Sequence, residues 1–255
     1  MSVFLWAILP YIAFTLLIGG LIWRWRTDQF GWTSRSSQLH EHAILRAASP
    51  LFHFGILFVA AGHIMGLVFP MTWTQQMGIS QHAYHLIATI GGTLAGLMTL
   101  VGLVGLLYRR FVNKSIRLAT TPNDIIMYIL LTIPICLGAF ATAANQIFGP
   151  EGGYNYRETI SVWFRSIFTF HPNIELMTSV PLSFQLHIIA GLILFAVLPF
   201  TRLVHMVSAP VAYPTRPWIV YRSREGSTVT AQPRRGWKPV SKGRQKQGEA
   251  HSLGA

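Results

Sequence analysis

The stretch PLFHFGILFVAAGHIMGLVFPMTW, residues 50–73, decides how the chain folds. It carries no charged residue, and at 1.5 Å per helical residue it is long enough to cross a hydrocarbon core of about 30 Å. Yet it contains two imidazoles, His53 and His63, ten residues apart. An ionisable side chain inside a bilayer is costly, so each such group is read first as part of a functional site whose partner must be found. The last apolar stretch supplies two candidates, His187 and His205.

Working outward, four further stretches have the same character: residues 3–23, 83–108, 125–147 and 180–207, none with an Asp or Glu. The whole chain of 255 residues is 51% hydrophobic and only 11% charged, with a mean hydropathy of +0.42. That composition predicts an all-α integral membrane protein with five transmembrane helices. Of its 20 basic residues, only Arg157 and Arg165 fall on one side of the predicted topology. The others lie in the first loop (Arg24, Arg26, Arg35, Arg46), in the second (Arg109, Arg110, Lys114, Arg117) and from Arg202 onward. The positive-inside rule therefore puts the N-terminus outside and the C-terminus in the cytoplasm. Residues 1–23 lack a basic start and run into Arg24 and Arg26, which reads as an uncleaved first span and not a signal peptide. The net charge of +12 sits where a lipid bilayer with anionic headgroups or a cytoplasmic subunit would meet it, and requires no nucleic acid.

The single Cys136 lies in the fourth span, which excludes an internal disulfide, a thiolate-held iron–sulfur cluster and a Cys-x-x-Cys-His haem attachment. No internal repeat, phosphate-binding loop or HExxH motif is found. Two domains are expected, a membrane domain over residues 1–224 and a basic, disordered cytoplasmic tail over 225–255. In the outer stretch between the fourth and fifth spans, Ile160, Trp163, Phe164, Ile167 and Phe168 share one helical face, opposed by Arg157, Ser161 and Arg165. This predicts a short helix lying in the outer interface. Gly92 and Gly96 form a small-xxx-small pair, read as close helix packing, with close approach to a flat macrocycle as the alternative.

The second and fifth spans run in opposite directions, so depth pairs His53 with His205 on the inner side and His63 with His187 on the outer side. One membrane histidine is ordinarily a hydrogen-bonding group; four that pair by depth on two spans point to two bis-histidine haems of the b type, with these residues as iron ligands. A neutral imidazole suits the task because one nitrogen binds metal while the other donates to a fixed acceptor. The carbonyls of Ser49, Val59, Ser183 and Thr201, one turn earlier, are the expected acceptors. The spacing fits imperfectly: ten residues rise about 15 Å and eighteen about 27 Å. His187 and His205 would share a face after five turns, whereas His53 and His63 would point about 80° apart. His40, His42, His171 and His251 lie outside the spans and are read as solvated.

These residues carry a resemblance. Leu-Phe-His53, Gly62-His63, the loop Ser36-Ser37-Gln38, Arg109-Arg110 with Ala119-Thr120-Thr121, Leu-His187, and Pro199-Phe-Thr-Arg-Leu-Val-His205 together resemble the gamma subunit of membrane-bound respiratory nitrate reductase, a dihaem cytochrome b. The resemblance covers roughly residues 1–224. It implies a bacterial cytoplasmic-membrane subunit that oxidises quinol near the outer haem and relays electrons inward. The implied partners are an iron–sulfur beta subunit and a molybdenum-containing alpha subunit that reduces nitrate. Members of the family carry a quinol-binding lysine at the outer start of the third span. This chain has no lysine before Arg110 and shows His82-Ala-Tyr84-His85 there. Gly62, His82, Tyr84 and His85 are therefore the quinol-site candidates, with interfacial anchoring as the competing reading for the last three. Arg109, Arg110 and Arg202 lie at the depth of the inner haem and are candidates for its propionates, or plain positive-inside anchors. Two rival functions remain: a dihaem cytochrome b of a formate dehydrogenase or hydrogenase, and a haem-free membrane anchor.

Overall fold

The computed structural model describes residues 1–32, 37, 40–149 and 153–208. Among these residues there are helices and turns but no strand. Five helices are long and apolar enough to cross a membrane: Phe4–Thr27, Ala43–Leu67, Gln81–Val112, Pro122–Ile147 and Leu182–Phe200. The fold is thus the five-span helical membrane protein expected from the hydropathy pattern. Ser36, Gln38 and the whole of 225–255 lie outside the described residues.

The first span enters through a π-turn, Phe4–Ile8, and continues as α1, Leu9–Thr27. The second, α2, covers Ala43–Leu67 and so begins before Pro50, which sits inside it. The Glu41 carboxylate accepts the Ile44 N–H at 2.8 Å and supplies the cap that the early start requires. A short α3, Met71–Gln76, leads to α4, Gln81–Val112, whose first turn is capped by the Ser80 hydroxyl accepting from Ala83. Arg109 and Arg110 end α4, where cations complement the helix dipole. After α5, Lys114–Leu118, the Thr121–Asp124 capping box starts α6, Pro122–Thr142.

Helices α2 and α4 pack antiparallel through glycines. A Cβ on Gly55 would stand 2.6 Å from the Thr99 backbone nitrogen, and one on Gly105 would stand 2.8 Å from the Ala48 methyl. Gly102 meets the Phe52 backbone in the same way. These are the residues that allow close approach. The pair Gly92 and Gly96 does not do this work: no atom lies within 4 Å of a Cβ built on either. Continuing the antiparallel register by two turns sets Gly62 opposite Gly92, and there too nothing lies within 4 Å of a Cβ on Gly62. A side chain at Gly62 or Gly92 would thus meet open space, whereas one at Gly55, Gly102 or Gly105 would collide with the facing helix.

The helix expected at the interface forms as α7, Ile160–Ile167, but its polar face does not meet water. Ile160, Trp163 and Ile167 pack with Trp6, Met177 and Val180, and the Trp163 indole donates to the Trp6 carbonyl at 2.8 Å. On the other side, Ser161 donates to the Gly66 carbonyl at 2.8 Å, Arg165 to Leu67 at 3.0 Å and Arg157 to Phe69 at 3.4 Å. The Gly66 and Leu67 carbonyls end α2 and Phe69 follows just beyond it, and the last four carbonyls of any helix lack partners of their own. In a poorly hydrated setting they must be satisfied by protein, which is why the polar face turns inward.

The fifth span departs most from expectation. It is helical as α8, Leu182–Val197, and then breaks into a 3-10 turn, Leu198–Phe200, an extended Thr201 and a second 3-10 turn, Arg202–Met206. Arg24 of α1 donates to the carbonyls of Pro199 (2.7 Å) and Thr201 (2.9 Å), and so satisfies backbone that the break leaves open. The continuous helix through residue 207 is therefore corrected. From His187 to the end of α8 the rise is about 15 Å, the same as from His53 to His63 on α2. The mismatch of about 27 Å against 15 Å is taken up in the broken segment after α8, since both imidazole pairs face each other.

Candidate functional site

Four imidazoles stand in two facing pairs. His53 on α2 and His205 on the final turn have ring centres 6.3 Å apart with planes at 61°; His63 on α2 and His187 on α8 have centres 5.8 Å apart with planes at 44°. Every one of the four directs Nδ1 at a backbone carbonyl. His53 donates to Ser49 at 2.7 Å and His63 to Val59 at 2.8 Å, the acceptors expected from the helix. The other two acceptors differ from expectation. His187 reaches across to Pro134 of α6 at 2.9 Å, and His205 bonds Arg202 at 2.6 Å, three residues back, as a 3-10 turn dictates.

Gly138 makes the reach of His187 possible. A Cβ there would lie 2.8 Å from the His187 ring carbon Cε1, so any side chain would displace the imidazole. Sequence reasoning did not single out this glycine; its only signal was its place in the middle of an apolar helix, where Gly costs stability. With Nδ1–H committed to a carbonyl, the tautomer that leaves Nε2 with a lone pair is selected. Among the described residues no hydrogen bond is made by Nε2 of any of the four.

The basic end, near His53 and His205, is organised by two carboxylates that the sequence reading passed over. Arg109, 3% exposed, donates through Nε to Glu41 at 2.5 Å and through its terminal nitrogens to Ser37. For Glu41, burial opposes ionisation, but the Ile44 N–H, the Arg109 guanidinium and the Ala43 N–H together hold the carboxyl below its usual range. Asp124, fully buried, faces Arg202 Nε at 2.6 Å and Arg110 at 3.7 Å. The three arginines expected near propionates thus each have a carboxylate partner. The Thr121-Pro-Asn-Asp124 pattern ahead of an apolar run was the readable signal for Asp124.

At the opposite end, the candidates His82, Tyr84 and His85 at the start of α4 do not form one cluster. The His85 Nε2 pairs with the Gln146 side-chain oxygen at 2.8 Å, and Gln146 in turn donates to the Tyr154 carbonyl. Gly153, at φ +65°, lets the loop pass over that pair, where a Cβ would collide with both. The Tyr84 ring carries the Arg157 guanidinium at 3.8 Å, a cation–π contact in which Arg157 is 3% exposed. Tyr156 lies beside Gly66, and burial together with Tyr84 pushes its phenol well above the ordinary value. His82 is exposed and Gly62 faces open space. Gln146, Tyr156 and Arg157 are residues of this end that sequence reasoning did not assign to it.

Comparison with known proteins follows the same residues. The nitrate reductase gamma subunit family matches residues 2–224. The chain is 46% identical over 220 residues to the nitrate reductase gamma chain of Bacillus subtilis, covering 86% of this chain and 97% of that one. It is 36% identical over 225 residues to the respiratory nitrate reductase 2 gamma chain of Escherichia coli, covering 88% of this chain and 98% of that one. It also matches the nitrate reductase-like protein NarX of Mycobacterium tuberculosis, 51% identical over 91% of this chain, but spans only 35% of that longer relative. With five membrane-spanning helices and these relatives, the chain is a multi-pass bacterial membrane protein that belongs to the nitrate reductase gamma subunit family.

Proposed function

We propose that this gamma subunit is a dihaem cytochrome b that oxidises quinol and passes the electrons to an iron–sulfur beta subunit, which serves a molybdenum-containing alpha subunit reducing nitrate. The observation that carries the reading is the two imidazole pairs, each ring held by a carbonyl at Nδ1 with Nε2 turned to other use. Two imidazoles bonded at about 2 Å to one metal have ring centres about 6 Å apart, which is the spacing seen. Among the described residues no third His, Cys, Asp or Glu joins either pair as a metal site would need. Two protein ligands per ion suit a metal whose remaining positions are filled by a macrocycle. The open space beside Gly62 and Gly92 supports the alternative weighed for Gly92 from the sequence, close approach to a flat macrocycle.

When bound, the two b haems supply one-electron steps across the membrane. The chain's own residues do the rest. Each Nδ1–H···O=C bond orients its imidazole and raises its basicity as a ligand. Arg110 and Arg202, both paired with Asp124, lie at the His53–His205 end and are the candidates for propionate contacts, as is Arg109, which is paired with Glu41 and Ser37. At the other end His85, held by Gln146, can hydrogen-bond a quinol oxygen or take its proton; Gly62, His82 and Tyr84 complete the candidate set. The basic end faces the cytoplasm in this reading, so quinol protons leave outside and electrons leave inside. Membership of the nitrate reductase gamma subunit family supports this reading over the formate dehydrogenase and hydrogenase alternatives.

The test is haem quantitation with quinol-driven reduction on histidine variants of the purified complex. Two acid-extractable b haems per gamma chain are expected. His63→Ala or His187→Ala should remove one and stop quinol oxidation. His53→Ala or His205→Ala should remove the other, leaving a haem that quinol still reduces. A haem-free complex would return the chain to the anchor reading, and loss of outer-haem reduction in His205→Ala with that haem still bound would reverse the sides.

A further inference from the structure

Asp124 does more than start a helix. Its Oδ2 accepts the Thr121 N–H at 2.9 Å while the Thr121 hydroxyl accepts the Asp124 N–H at 3.4 Å, a complete capping box. A cap of this kind needs no burial, yet Asp124 is 0% exposed. A desolvated carboxylate is costly unless a cation holds it, and here Oδ1 lies 2.6 Å from Arg202 Nε. Arg110, from the end of α4, is the second cation facing it, at 3.7 Å.

What Arg202 holds explains the arrangement. Its carbonyl accepts Nδ1–H of His205 at 2.6 Å. The turn that carries both residues is a five-residue 3-10 segment, a conformation with weak hydrogen-bond geometry that rarely extends far. It is tied from outside. Upstream, Arg24 grips the carbonyls of Pro199 and Thr201, and the Thr201 hydroxyl accepts from Leu203 N–H at 3.2 Å. Through the side chain of Arg202, Asp124 ties the same turn to α6.

We propose that Asp124 is a positioning residue for the imidazole of His205: acting through Arg202, it fixes the carbonyl that orients the ring and balances the arginine's charge beside the haem ligand. The inference rests on the dihaem reading. It follows that the carboxylate's negative charge keeps the potential of the haem at His53 and His205 lower than Arg202 alone would set it. A hydrogen-bonded, more basic imidazole acts in the same direction.

The experiment is a redox titration of the membrane-bound complex carrying Asp124→Asn, read with the low-spin electron paramagnetic resonance signals of both haems. Asparagine keeps an oxygen for the Thr121 N–H, so the start of α6 is retained. The expected result is an upward shift in midpoint and an altered signal for the haem at His53 and His205, with the other haem unmoved. An unchanged or lowered midpoint overturns the proposal, as does an equal shift of both haems. In an Arg202→Met background the same substitution should leave the electron paramagnetic resonance signal where Arg202→Met alone puts it; a further change in that signal would mean that Asp124 does not position the ring through Arg202 and would overturn the proposal. If the asparagine variant fails to accumulate, Asp124→Glu decides, since it retains charge and cap but displaces the carboxylate. An unaltered signal there also overturns the proposal. Fewer than two haems in the unsubstituted complex would defeat the dihaem reading itself, whereas two haems with an unmoved signal in the variants would defeat this inference alone.

Discussion

A single missing methyl group sets the position of His187. Its ring lies across α6 at Gly138, where even a Cβ would approach Cε1 to 2.8 Å. On the proposed dihaem reading, Gly138→Leu should therefore remove the haem at His63 and His187, lowering haem content from two per chain to one. The overpacking itself should cost about 1–3 kcal/mol of stability. Pyridine haemochrome analysis with thermal unfolding checks both, and retention of two haems would show that the ring can move without losing its ligand role. Glu41 offers a residue-scale test by pH. Its carboxyl is held below the ordinary value by the Ile44 N–H and Arg109 despite partial burial, so the folded state binds its proton less readily than the unfolded state does. Stability from this group is therefore complete above the unfolded carboxyl value, about 4.3, and is lost as pH falls through the lower folded value. Glu41→Gln should lower the unfolding temperature at neutral pH, and the gap from the unsubstituted protein should close on acidification. A gap that widened with acid would reverse the sign.

At the scale of elements, the break after α8 and the inward-turned face of α7 obey one rule: backbone groups away from water need partners. Arg24 supplies them at Pro199 and Thr201, and α7 supplies them at the end of α2. Arg24→Gln should leave those two carbonyls short of donors, at about 1–3 kcal/mol for a buried group left unsatisfied. The expected consequence is local: the haem at His53 and His205 becomes labile to detergent while the one at His63 and His187 stays. Loss of both haems at equal rates would argue that Arg24 supports the bundle generally and has no particular role at the break. The glycines divide by element in the same way. Gly55, Gly102 and Gly105 bring α2 and α4 together, whereas Gly62 and Gly92 face open space.

For the whole molecule, the two imidazole pairs lie at two levels along one bundle, one beside the arginine–carboxylate groups and one beneath the loop that carries Tyr156 and Arg157. The asymmetry of charge predicts that the basic end faces the cytoplasm. Alkaline phosphatase fused after Ala255 should be inactive in intact cells, and a fluorescent protein fused there should be bright. The opposite result would place the His53–His205 pair on the outer side and reverse the proposed direction of electron flow.

By itself the sequence determined the five spans, because an uncharged run of some 20 residues has few other stable environments. It also determined which histidines share a level, since antiparallel spans order their residues by depth, and the acceptors of His53 and His63, since a regular helix places a carbonyl one turn back. It did not determine the end of the fifth span. An unbroken apolar run looks helical to its last residue, and only the donors of Arg24, some 175 residues away in sequence, make the break affordable. The same holds for Pro134 as the acceptor of His187, for the carboxylates that meet Arg109 and Arg202, and for the inward-turned polar face of α7. Each of these contacts joins groups distant in the chain, and hydrophobic periodicity reports only which face is apolar, leaving the partner of a buried polar group to be settled by the packing of the bundle.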